Sequence, residues 1–286
     1  MAQMLLNGVV LGMIYALIAL GITLIFSIMN ILNFAHGQMY MLGGFIVYYL
    51  YSVLGVNYFL SLLAVLVALG ALGVLFETVF FRRVLRVATR EENSMLLAMG
   101  TALVLENLAL FAFGEKQRGV PPVVTGVYEV FGAYLPASRA LVLMLSAVFI
   151  AALLLFVRAT KLGRAMRALA QDKEVTSLMG VDTHRISALG FAIGAALAGL
   201  AGALLVTVFG INTGVGTAVS IKAFIMIMIG GAGVVSGAIL GAFALGFAEA
   251  VGYEVFPGSM TYLLIFMGLI LFLMIRPQGI MGRPWG

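Results

Sequence analysis

No charged side chain occurs in the first 76 residues of this chain; the first acid is Glu77 and the first base Arg82. A stretch that long and that apolar can be solvated only by lipid or by other apolar helices. The remainder keeps the pattern, with 63% hydrophobic and 9% charged residues among 286 and a mean hydropathy of +1.17. Soluble domains carry about 25% charged residues, so the chain reads as an integral membrane protein. Its N-terminus, MAQMLLNGVV, lacks the basic region of a secretory signal and leads directly into an apolar window. It is therefore expected to remain as a transmembrane helix. The absence of cysteine excludes disulfides and thiolate metal sites. His36 and His184 show no metal-ligand spacing, so no metal site is expected.

Apolar windows fall at about 5–28, 38–56, 58–81, 94–113, 139–157, 188–210, 222–255 and 259–275. The window 222–255 is too long for one crossing and is broken by GGAGVVSG at 230–237. It is expected to hold a short descending segment, a turn built on the structural glycines Gly230, Gly231, Gly233 and Gly237, and then a second helix. The short piece either starts before Lys222, whose stem can snorkel, or is a half-helix. The fold class is thus all-α, a polytopic bundle of about eight full spans plus a short or broken segment near 222–237.

The net charge of +5 is better explained by sidedness than by nucleic-acid binding. Arg82, Arg83, Arg86 and Arg90, six bases between Arg158 and Arg185, and Arg276 and Arg283 fall on one side if the broken window crosses twice. Lys116, Arg118, Arg139 and Lys222 remain for the other. The positive-inside rule puts the larger group in the cytoplasm, with the C-terminus inside and the N-terminus outside. The opposite loop, 114–138, is rich in Pro, Gly and Tyr and is expected either to contact a soluble partner outside or, more simply, to cover helix ends.

Small residues recur every fourth position in three stripes: Gly8, Gly12 and Ala16; Gly190, Gly194, Ala198 and Gly202; Ala238, Ala242, Gly246 and Ala250. Each stripe is a flat seam where another helix can approach closely, within this bundle or from another membrane subunit. A faint internal echo links Ala98–Leu103 with Ala192–Leu197, as in transporters built from repeats.

Polar side chains interrupt this apolar background. Asn30, Asn33, His36 and Gln38 cluster just after the first window. Either the chain emerges into the cytoplasm there or a broken helix lines a cavity, because unpaired polar groups in hydrocarbon cost several kcal/mol. Glu77 lies close to Arg82 and needs no more than an interfacial ion pair. Glu106 is deeper, and an intramembrane carboxylate is a candidate functional group. Asn30, Asn33, His36, Gln38 and Glu106 are the candidates for a translocation pathway, although a packing hydrogen bond explains Glu77, Glu106 and Glu249 equally well.

The one long charged stretch runs from Arg158 to Arg185, RATKLGRAMRALAQDKEVTSLMGVDTHR. It parses as two helical pieces. The first carries Met166, Leu169 and Ala170 on one face, with Arg164 and Arg167 beside them. In the second, Asp172 suits an N-cap, Glu174 falls in the first turn, and Gly180 closes the helix as a C′ residue. Val175, Leu178 and Met179 repeat an i, i+3, i+4 pattern on it. Such a piece is an interfacial connector or a docking helix for a soluble partner.

Glu174 and Gly180 stand six apart, as in the E-A-A-x-x-x-G loop of ABC importer permeases, with Val175 and Thr176 in place of the two alanines. NFAHGQMYMLGG (33–44), LAQDKEVTSLMGVDTHRISALGFAIGAALAGLAGALL (169–205), GGAGVVSGAILGA (230–242) and the tail Arg276-Pro277-Gln278-Gly279-Ile280 together resemble one family in the same order. That family is the permease subunits of branched-chain amino-acid type ABC importers, and the similarity covers essentially the whole chain. The resemblance implies a single transmembrane permease domain, 1–286, with a cytoplasmic coupling loop at 158–187, in the bacterial plasma (inner) membrane. It implies as partners a second homologous permease, two cytoplasmic ABC ATPases, an extracytoplasmic substrate-binding protein and membrane lipid, with no nucleic acid. It assigns ATPase coupling to Arg167, Asp172, Glu174, Leu178, Met179, Gly180 and Asp182. No cofactor is expected in the chain itself: it has no GxxxxGK[ST] sequence, so ATP is bound and hydrolysed by a partner subunit.

The chain is not expected to be an enzyme, since HExxH and GxSxG are absent. The alternatives are an ion-coupled secondary transporter, for which the scattered carboxylates supply no clear coupling site, or the same ABC permease type carrying aromatic acids, urea or amides.

Overall fold

The computed structural model describes residues 1–87, 92–130 and 132–282, and Arg90 and Arg283 of the sidedness argument lie outside them. The elements are α1 (Ala2–Met29), α2 (His36–Val47), α3 (Tyr58–Leu75), α4 (Arg82–Val87), α5 (Glu92–Phe113), β1 (Val127–Val130), β2 (Ala133–Pro136), α6 (Ala137–Ala159), α7 (Lys161–Gln171), α8 (Lys173–Leu178), α9 (Thr183–Phe209), α10 (Val215–Gly230), α11 (Val235–Val255) and α12 (Gly258–Ile275). π-helical turns at Tyr48–Val53 and Phe76–Phe81 extend α2 and join α3 to α4. The fold is a polytopic helical bundle, because only helices and closed barrels satisfy every backbone group inside a bilayer. Seven helices among the described residues are long and apolar enough to cross a membrane, and α10 is a shorter apolar helix.

Two elements begin inside the bundle rather than at its surface. α1 ends at Asn30, which adopts a left-handed backbone (φ 54°) and donates its N–H to the Phe26 carbonyl at 2.8 Å. The chain then turns back inward, and the His36 ring sits beside the Ile18 carbonyl. Ile18 lies eleven residues before the end of α1, a rise of about 16 Å. The chain thus reaches the basic face at Asn30, which is exposed, and re-enters the bundle so that α2 starts again inside protein. α10 likewise starts in the interior at Val215, seven residues earlier than the window at 222, so Lys222 lies in mid-helix and does not snorkel from an end.

These two half-buried starts are related. α1 and α9 run in opposite directions and cross at Gly21 and Gly194, where a Cβ on either would come within 2.7 Å of the other's carbonyl oxygen. The broken starts of α2 and α10 then meet where Gly37 lies against the Gly216 carbonyl. α11 packs on α1 as α3 packs on α9. The two broken helices thus start beside the antiparallel crossing of α1 and α9. The echo between 98–103 and 192–197 lies on α5 and α9.

The small-residue stripes are consumed inside the chain. Gly8 and Gly12 receive the rings of Phe247 and Phe243, Gly246 lies against the backbone of Gly12, and Gly202 lies against the Tyr40 carbonyl. The resulting core is unequal: the spanning windows of α1 and α9 are 78% and 67% buried, those of α5, α6 and α12 only 11%, 17% and 6%. α1 and α9 are the central posts, and the poorly buried helices form the rim.

The N-terminus and the 114–136 segment share one face. Gln3 Nε2 donates to the Tyr134 carbonyl at 3.2 Å and Arg139 Nη1 to Asn7 Oδ1 at 3.1 Å. That segment folds into an antiparallel two-stranded hairpin, β1–β2, an addition to the all-α expectation. The opposite, basic face carries α7, α8 and the C-terminal tail. There the glycine turn closes by contact: Gly230 and Gly237 abut, while Gly231 and Gly233 have φ of 106° and 79°. The tail seals it, with the N–H groups of Ile280 and Met281 donating to the Ile229 and Gly230 carbonyls at 2.8 and 3.0 Å.

Candidate functional site

On the basic face, α6 stops at Thr160, whose hydroxyl accepts from the Gly163 N–H at 2.9 Å and so starts α7. Met166 and Leu169 of α7 are buried against the bundle, while Ala170 is exposed. Arg167 donates to the Val157 carbonyl. Asp172 caps α8 by accepting from the Glu174 and Val175 N–H groups, both at 2.9 Å. The helix ends through Gly180 (φ 81°), and Asp182 then caps α9 by accepting from the Arg185 N–H at 3.1 Å. Two aspartates and a glycine thus set a six-residue helix at a defined angle between two longer ones.

The orientation of α8 is its informative property. Thr176 is its buried side chain, and its hydroxyl donates to the Asp172 carbonyl at 2.6 Å. The apolar side chains face the other way: Val175 is 55% exposed, Leu178 86% and Met179 79%. A short amphipathic helix that turns its apolar face from its own protein presents a contact surface. Beneath it, a cavity of about 660 Å³ lies between the end of α1, the α7–α8 junction and the glycine turn. Its lining includes Asn30, Arg167, Asp172 and Gly233.

The five polar residues around the first break fall into three places. Asn30 lines that basic-face cavity. Asn33 and His36 are fully buried: Asn33 Oδ1 accepts from the Ala35 N–H at 3.0 Å, and the His36 Nε2–H donates to the Ile18 carbonyl at 3.2 Å. Only Gln38 and Glu106 meet. Gln38 Nε2 donates to Glu106 Oε2 at 3.2 Å, and the Thr217 hydroxyl donates to the same oxygen at 2.7 Å. Gln38 is the third residue of α2 and Thr217 the third of α10. One carboxylate therefore sits at the first turns of two broken helices, where their dipoles favour negative charge. Glu106 is half-buried, and the Gln38 Oε1 atom accepts no hydrogen bond.

The sequence reading missed a second polar centre. Lys222, counted in the sequence with the bases of the opposite side, lies 2.8 Å from Glu249 Oε1, and the Tyr15 hydroxyl donates to Glu249 Oε2 at 2.5 Å. Lys222 Nζ also donates to the Tyr15 hydroxyl at 2.8 Å. A cation and a carboxylate left over in separate apolar helices was the available signal, since charges in a bilayer pair with one another. Glu77, by contrast, pairs with Arg82 at 2.6 Å as their spacing suggests. Among the described residues, no cluster of three or more His, Asp or Glu side chains could hold a metal ion.

A solved structure, PsaBC from Streptococcus pneumoniae in complex with Fab, superposes with a TM-score of 0.53 at 11% identity, over 96% of this chain and 93% of that one, a likeness of fold alone. The chain is 35% identical to the high-affinity branched-chain amino acid transport system permease protein BraD of Pseudomonas aeruginosa, over 99% of this chain and 96% of that protein. It is 34% identical to LivH of Escherichia coli over the same shares, and 26% identical to LivM of that organism over 96% of this chain and 69% of LivM. The profile of the family described as branched-chain amino acid transport system / permease component matches residues 4–275, and with the relatives at 34–35% identity this shows that the chain belongs to that family.

Proposed function

We propose that this chain is the transmembrane permease subunit of an ABC importer in the bacterial plasma membrane. It forms the pathway for branched-chain or related amino acids with a second, homologous permease. Two ATPases on the cytoplasmic side drive it, and an extracytoplasmic binding protein delivers the substrate. In this reading the basic face is cytoplasmic, as the positive-inside rule requires, and the N-terminus and the β1–β2 hairpin are extracytoplasmic.

The observation that carries the reading is α8, with Leu178 and Met179 turned out to solvent on a helix capped at both ends. A helix seated in a cleft on an ATPase transmits closure of that ATPase only if it moves as a rigid body with its bundle. The caps of Asp172 and Asp182, the Gly180 stop and the anchoring of Met166 and Leu169 meet that condition. Motion follows if the two bundle states fit the closed ATPase differently. Along the pathway, Glu106, Gln38 and Thr217 supply polar contacts at the broken helix starts, while Asn33 and His36 hold the break in shape.

The test is Leu178→Pro, which removes the α8 lever. Leucine uptake by the assembled transporter in proteoliposomes is expected to fall to background, while membrane insertion stays unchanged. Uptake at the wild-type rate would overturn the role of α8.

A further inference from the structure

α5 is one of the poorly buried rim helices, yet it carries a carboxylate deep in the membrane-spanning part of the bundle. Glu106 stands fourteen residues from the Glu92 end of α5 and seven from the Phe113 end, about 21 and 10 Å of helix. Beyond Phe113, whose ring stacks on that of Phe45 with centroids 4.3 Å apart, α2 and its π-helical extension run on to Val53. Glu106 therefore lies at mid-depth, far from either interface.

Its two oxygens differ. Oε2 accepts from Gln38 Nε2 at 3.2 Å and from the Thr217 hydroxyl at 2.7 Å, which ties it to the first turns of α2 and α10. Oε1 accepts no hydrogen bond among the described residues and is not enclosed, so it opens to the space beside α5. No basic side chain pairs with Glu106 among the described residues. Leu103 and Leu110, at i−3 and i+4 on the same face of α5, are exposed, as is Ile221, one turn on from Thr217. Lipid would suit those three aliphatic side chains. It does not suit a carboxylate with an open oxygen, because ionisable groups at this depth face protein or a water-filled cavity. One uncompensated acceptor thus stands at mid-depth with aliphatic flanks.

We propose that Glu106 Oε1 receives the α-ammonium of an aliphatic amino acid in transit, and that its charge makes the pathway admit ammonium-bearing molecules in preference to anions. The ammonium donates to Oε1 while Oε2 keeps its two protein donors, and the aliphatic side chain lies along Leu103, Leu110 and Ile221. A 2-oxo acid of the same shape brings only a carboxylate, which Glu106 repels. A single charged contact also suits passage, since a transit site must attract its cargo and still release it. The inference rests on the amino-acid reading above and deepens it, by naming the group that Glu106 recognises.

Glu106→Gln separates charge from architecture, because the amide keeps an oxygen for Gln38 and Thr217. In proteoliposomes holding the chain with its partner permease, ATPases and binding protein, this variant is expected to lower the maximal rate of leucine uptake at least about tenfold, with the subunits still co-purifying. Uptake at the wild-type rate overturns the subsite. A second readout does not depend on transport. The chain has no cysteine, so Leu103→Cys gives it a single thiol one turn from Glu106. Labelling of that thiol by a trimethylammonium and by a sulfonate methanethiosulfonate is timed on the nanodisc-embedded assembly, each rate taken relative to a free thiol. The cation should be favoured at least about tenfold, a difference of about 1.4 kcal/mol, and Glu106→Gln in the same background should remove the preference. No labelling would put this face against lipid or the second permease, and equal rates would leave the carboxylate without influence; either result overturns the proposal. Failure of the wild-type assembly to take up any amino acid would instead sink the functional reading.

Discussion

The α8 segment and the Tyr15–Lys222–Glu249 centre are opposites in how the chain builds them. α8 is assembled from neighbours: Asp172 caps residues two and three positions away, and Gly180 ends the helix it follows. The buried centre joins Tyr15 to Lys222 across 207 residues and Lys222 to Glu249 across 27. α8 exposes its apolar side chains, while the centre buries its charges. A surface meant for a partner contributes little to the stability of its own subunit, whereas a buried charge pair is costly to break on either side. Stability and function should therefore respond oppositely to substitution in the two places.

The sharpest way to break that contrast is Lys222→Met alone, which strands the Glu249 carboxylate. It should destabilise the protein by about 3–5 kcal/mol in thermal unfolding of nanodisc-embedded protein. The double change Lys222→Met/Glu249→Gln should recover most of that loss; if it did not, the pair would be required for folding. Next in size is Gly202→Val at the close approach to the Tyr40 carbonyl, where overpacking should cost about 1–3 kcal/mol by the same assay. Asp172→Ala should cost about 0.5–2 kcal/mol, felt locally as faster amide exchange in residues 173–178 with an unchanged global midpoint. A shifted midpoint would mean that α8 is part of the core. Smallest is Leu178→Ser: its exposure predicts a stability change within about 0.5 kcal/mol. Yet co-purification of the ATPase should drop sharply, and full retention would leave α8 without its proposed partner.

The antiparallel crossing of α1 and α9 bears on the same comparison. Both broken helices start at glycine-to-backbone contacts in mid-bundle, and the same interior region gathers Gln38, Thr217 and Glu106. Polar backbone freed by a break must find partners inside protein, so the two breaks themselves create the polar positions that a pathway can use.

Helices, caps and the glycine turn were legible in the sequence because each depends on residues close along the chain. Apolar windows located the spans, Asp172 and Gly180 bounded α8, and Glu77 found Arg82 within two turns of helix. The small-residue stripes announced close contact but not which helix would supply it. Only the tertiary structure decided that α1 seats on both α9 and α11, that Asn33 and His36 are buried while Gln38 reaches Glu106, and that Lys222 belongs to Glu249. The physical reason is that lipid rewards any apolar surface alike, so hydropathy places a segment in the membrane without choosing its neighbour. Partner choice comes from shape at the glycines and from the few buried charges that must find one another.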